Sequence, residues 1–102
     1  MMGQYHIELT VKTWKLREGS REDLQYFEFL VSRGFRAYTK SEPVAGMPWD
    51  DIQFVRPGTD KSMYIWQSMY QGPHWIVADR VEGTYCNYRT YQSLQKAISE
   101  EI

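Results

Sequence analysis

Apolar side chains fill both alternating sets of positions in one stretch of the chain, Ser62–Asp79, SMYIWQSMYQGPHWIVAD. In its first half one set is Met63, Ile65 and Met69, and the other is Tyr64, Trp66 and Tyr70. In its second half Ile76 and Ala78 alternate with Trp75 and Val77. Gln71-Gly72-Pro73 lies between the halves. Gly takes positive φ at little cost and Pro cannot continue a ladder, so these residues predict a turn. The flanks are rich in aromatic and β-branched residues, which predicts two strands and hence a hairpin. A hairpin apolar on both faces needs cover on both faces. The chain's own helices can supply one cover. A partner, a second copy or a ligand is expected to supply the other.

The rest of the pattern is read around that hairpin. Gln4–Leu16 alternates, with Tyr5, Ile7, Leu9, Val11 and Thr13 on one side and His6, Glu8, Thr10, Lys12 and Trp14 on the other. That period predicts a strand with a core side and a polar side. Ser20 is placed to cap a helix over Arg21–Arg33, with Glu22 and Asp23 at its positive end. Its apolar stripe is Leu24, Phe27, Leu30 and Val31, with Phe29 or Tyr26 at the edge, and Gly34 is a natural stop. Phe35–Lys40 reads as a short strand whose Phe35, Ala37 and Thr39 face the helix and whose Arg36, Tyr38 and Lys40 face away. Ser41–Asp51, with two prolines and a glycine, predicts a loop. Ile52–Arg56 predicts a third strand, and Pro57-Gly58-Thr59-Asp60 a turn into the hairpin. Glu82-Gly83 predicts a further turn, Thr84–Tyr88 a last strand, and Thr90 the cap of a final helix. Leu94, Ala97 and Ile98 are that helix's stripe, which Ile102 can continue.

The expected order is therefore β-α-β-β-β-β-(β)-α. Short turns imply an antiparallel sheet of four to six strands, and two amphipathic helices imply a two-layer α+β fold. At 102 residues the chain is expected to be a single domain, residues 1–102, able to bury one core without disulfide or metal. With 42% apolar and 25% charged residues it falls among folded rather than disordered chains. The net charge of −1 argues against binding held mainly by attraction to phosphate. A single cysteine, Cys86, allows no internal disulfide and suits a reducing compartment. No segment reads as a secretory signal, and none approaches the roughly 20 apolar residues that span a bilayer. A cytoplasmic protein is the expectation.

Catalytic chemistry finds little to build on. Cys86, His6 and His74 are the only material for a thiol–imidazole pair, and their spacing does not bring them together. Two separated histidines and one cysteine do not make a metal set. Cys86 is better read as a small strand residue packed inward, His6 as a surface strand residue and His74 as an organiser of the adjacent turn. Asp50-Asp51 would point apart on an extended chain, and Asp79 and Glu82 read as charges flanking turns. There is no phosphate-cradling glycine motif. The expectation is a protein that is not an enzyme and uses no cofactor or metal.

Two features point to binding. If helices cover the Ile7/Leu9/Val11 side, the other sheet face carries Lys12, Trp14, Arg36, Tyr38, Lys40, Tyr64 and Trp66. In that arrangement Trp66 is flanked by Tyr64 and, across the turn, by Trp75 or Val77. The second feature is Trp49, in the Pro-stiffened loop Met47-Pro48-Trp49-Asp50-Asp51, which either folds back on the domain or anchors into something else. Trp, Tyr and Arg dominate interface energetics, so Trp14, Tyr38, Tyr64, Trp66 and Trp49 are the candidate protein-binding residues. The partner would be another protein or a second copy in a homodimer. Aromatic rings with interleaved cations also suit single-stranded nucleic acid, for which the residues would be Lys12, Trp14, Arg36, Tyr38, Lys40 and Trp66. A third reading is a small-molecule site between hairpin and loop with Trp49 as lid. No family motif is present. In general character the chain resembles the small accessory proteins of phages and plasmids, which often act by binding a host protein as inhibitors or regulators.

Overall fold

In the computed structural model, which describes residues 7–10, 21–39, 52–68 and 70–102, the elements are β1 (Ile7–Leu9), α1 (Arg21–Ser32), β2 (Arg36–Thr39), β3 (Ile52–Arg56), β4 (Ser62–Ser68), β5 (His74–Val81), β6 (Thr84–Tyr91) and α2 (Leu94–Glu101). The strands form one antiparallel sheet in the order β1-β2-β3-β4-β5-β6, each paired with its sequence neighbour. The fold is α+β, as the pattern predicts.

Register explains the core. Leu9, Ala37, Phe54, Ile65 and Val77 lie side by side across five strands, and all five are buried. Phe27 and Leu30 of α1 and Leu94 and Ala97 of α2 join the same cluster, so both helices lie on this one face. Phe27 meets Phe54 edge-on, with ring centroids 6.0 Å apart. Burying these side chains removes large apolar areas from water, which is the main force holding the two layers together. The alternation predicted which residues of β2 and β4 turn inward. It also placed Trp75 and Val77 of β5 together, and both are in the core.

The ends of the elements are set by local chemistry. Gly34 has φ +91°, and the Gly34 and Phe35 N–H groups donate to the Val31 and Leu30 carbonyls at 3.1 and 3.0 Å. This is the Schellman cap that a glycine in this position favours, and it packs Phe35 against Leu30's turn. Glu82 and Gly83 both have positive φ between the paired residues Val81 and Thr84, a two-residue turn that matches the twist of a hairpin. The His74 ring donates from Nδ1 to the Gly72 carbonyl at 3.0 Å, ordering the β4–β5 turn as expected.

Several expectations are corrected. Val31 is 40% exposed, not part of the buried stripe. The buried arc centres on Leu30 and Phe27, and Val31 lies about 100° round the helix from Leu30. Thr90 does not cap the last helix, because β5 offers partners that carry β6 on through Thr90 to Tyr91. The cap is Ser93, whose Oγ accepts from the Lys96 N–H at 3.1 Å. Ile102 is 37% exposed and does not continue the stripe. The first strand ends at Leu9 rather than running through Thr10, while Phe35 precedes β2 instead of opening it. The expected Ser20 cap, the Ser41–Asp51 loop and the remainder of Gln4–Leu16 lie outside the described residues. No helix among the described residues is long and apolar enough to cross a membrane.

Candidate protein-binding face

The face opposite the helices is built from two adjacent rows of the sheet. One row runs Glu8, Tyr38, Gln53, Trp66, Ile76 and Thr90 across all six strands. The next holds Arg36, Val55, Tyr64 and Ala78. Arg36, Tyr38, Tyr64 and Trp66 therefore share this face. Trp14, Trp49, Lys12 and Lys40 lie outside the described residues. Across the turn from Trp66 stands Ile76, not Trp75 or Val77, because paired residues of an antiparallel ladder share a face.

The β4–β6 side of the face carries an aromatic cluster spanning three strands. Ala78 of β5 is fully buried, and its small side chain leaves room above it. The rings of β4 and β6 meet over that space. Tyr64 and Tyr85 pack edge to face at 5.1 Å and Trp66 and Tyr88 at 6.2 Å, while Trp66 and Tyr85 meet at a tilt at 5.6 Å. Such pairs add about 0.5–1.5 kcal/mol each beyond their buried area. The exposed Arg80 guanidinium sits 5.3 Å from the Tyr85 ring and 5.9 Å from the Tyr64 ring. The adjacent Tyr64 hydroxyl raises its pKa above the ordinary arginine value. Tyr88 closes the cluster and is 59% exposed.

Tyr85, Tyr88 and Arg80 were not singled out from sequence, and the reason is specific. Asn87 has φ +55° and sits in a bulge, so two residues of β6 lie opposite one of β5. The bulge inverts the alternation, which lets Tyr85 and Tyr88, three apart, reach the same face. The Glu82-Gly83 turn does place Tyr85 beside Arg80, and that pairing was legible. The parity change at Asn87 has no clear sequence signal beyond the tolerance of Asn for positive φ.

Away from the cluster, Arg36 donates to both Glu8 carboxylate oxygens at 2.8 and 2.7 Å and lies 5.7 Å from the Tyr38 ring. The paired guanidinium holds the Glu8 carboxyl below its ordinary value. Arg36 is thus already engaged by a carboxylate.

On the helix side a charged network also departs from expectation. Asp79 is not a solvated turn charge: it is 5% exposed. Its Oδ2 accepts from Asn87 at 3.3 Å and Arg89 at 3.4 Å, with the Lys61 ammonium at 3.7 Å. Burial pushes its pKa up, but the Asn87 bond and the Arg89 and Lys61 charges outweigh it and hold the carboxyl below the ordinary range. Arg89 also forks onto Glu101 with two bonds of 2.9 Å, and the Tyr91 hydroxyl donates to Glu101 as well. Cys86 is half-buried and free of any disulfide. Among the described residues no cluster of His, Cys, Asp and Glu could hold a metal ion. Comparison of the chain with protein-family models, with curated proteins and with solved structures returns no match.

Proposed function

We propose that this domain is a non-enzymatic binding module of the cytoplasm that docks a protein partner on the sheet face opposite its helices, in the manner of a small inhibitor or regulator. The observation that carries this reading is the cluster of Tyr64, Trp66, Tyr85 and Tyr88 over Ala78, with Arg80 laid across two of the rings. No described element covers it. Aromatic rings and arginine at the centre of a patch are what interface hot spots are made of. The rings are braced by one another on strands, so little side-chain freedom remains to be lost on docking. Tyr38 extends the patch along the Trp66 row. The nucleic-acid alternative is less well supported, because Arg36 already holds Glu8 and the net charge is −1.

The test is capture from lysate with matched variants, followed by light scattering of the free protein. Tyr88→Ala is expected to lose a captured partner by about tenfold or more. Tyr70→Ala is the control, since Tyr70 is 75% exposed at the hairpin turn. Equal capture by both variants would remove this face as the docking surface. A concentration-dependent dimer that Tyr88→Ala dissolves would make the partner a second copy.

A further inference from the structure

The residues Arg56, Met63 and Asp79 lie side by side on β3, β4 and β5, on the helix side of the sheet. Neighbouring strands are about 4.8 Å apart, so the outer two backbones are about 10 Å apart. A cleft of about 220 Å³ opens here, lined by Arg56, Pro57, Gly58, Lys61, Met63 and Asp79. Its two charged ends are incompletely satisfied. The Arg56 guanidinium rests 5.2 Å from the Phe35 ring, with its Nη2 3.9 Å from the Met63 sulfur, and no described carboxylate pairs with it. At the other end every contact of Asp79 falls on Oδ2. Its Oδ1 has no described donor, although the side chain is only 7% exposed. A carboxylate this nearly buried, with one oxygen lacking a donor among the described residues, requires a reason.

We propose that this cleft binds a free α-amino acid, its carboxylate on Arg56 and its ammonium on Asp79 Oδ1. Charge complementarity selects that class. A simple anion would meet the Asp79 carboxylate, and a simple cation would meet Arg56, with Lys61 already set against Asp79 Oδ2. A zwitterion answers both ends at once and supplies the donor that Oδ1 lacks. Met63 and Pro57 offer a short apolar wall for a side chain. The volume lies below the range of drug-sized pockets and suits a ligand of amino-acid size. At Gly58 the turn folds closely on itself, since a Cβ there would fall 1.9 Å from the Lys61 carbonyl oxygen. This site is separate from the aromatic face and does not depend on it.

The experiment is an amide NMR titration of the full chain with each common L-amino acid. The best binder is then compared with its deaminated acid and its decarboxylated amine. The expected result is saturable shifts confined to residues 56–63 and the neighbourhood of Asp79, with both analogues at least tenfold weaker. Arg56→Gln should weaken the amino acid at least tenfold while the amide spectrum remains that of the folded domain. No saturable shift with any amino acid would overturn the proposal. So would a deaminated acid that binds as well as its parent, which would make the cleft a plain anion site. Because the analogues are tested on the unaltered protein, the result stands even if Arg56→Gln fails to fold.

Discussion

Ile65 is fully buried between Phe54 and Val77, so Ile65→Ala opens a cavity beneath the helices. It is expected to cost about 2–5 kcal/mol, read by denaturant unfolding. A near-zero cost would contradict the packing described for β4. Its neighbour Trp66 turns the other way and meets the Tyr85 and Tyr88 rings on the open face. Strand alternation assigns Ile65 and Trp66 to opposite faces, but in a hairpin apolar on both faces it does not say which is core; the pairing register from β1 to β4 decides that. Asp79 was less legible. Nothing local distinguishes a turn-flanking aspartate from one whose partners, Asn87 and Arg89, come from the next strand. The same limit hid Tyr88, since its face depends on the bulge at Asn87.

At the scale of elements, α1 is closed by the positive φ of Gly34. A Cβ there would meet Arg56 side-chain carbons only at ordinary contact distances of 3.8 and 3.9 Å. The cost of Gly34→Val therefore comes from the backbone, about 1 kcal/mol or more, and a melting curve will read it. At α2, Ser93→Ala removes the acceptor for the Lys96 N–H and is expected to cost about 1 kcal/mol. The position of that cap was misread at Thr90 because β-sheet pairing competes with capping for the same residues. A strand with a long neighbour continues as far as the neighbour does. Helix stripes and glycine stops are local signals, whereas a strand's last residue depends on its partner.

For the molecule as a whole, the network of Asp79, Arg89, Glu101 and Tyr91 ties α2 to β5 and β6. The Arg89 bond holds the Glu101 carboxyl below its ordinary value against the opposing effect of burial, and Asp79 is also held low. Carboxyls with depressed folded pKa values bind fewer protons folded than unfolded. Their stabilisation is present above the unfolded value, roughly pH 4, and is lost as pH falls through the folded values. The melting temperature should fall on acidification below that point, and Glu101→Gln should flatten part of the fall. A melting temperature independent of pH in that window would contradict the network.

The central claim is that the sheet carries a core face for stability and an aromatic face for binding, and Trp66→Ala tests it most directly. Thermal melting and partner binding are measured on the same variant. The account predicts a folded domain whose loss of stability is well below the about 3–5 kcal/mol of a truncated core aromatic. It also predicts partner binding weaker by about 2 kcal/mol or more, over tenfold. A variant that binds as the parent does, or one that loses core-sized stability, would contradict it.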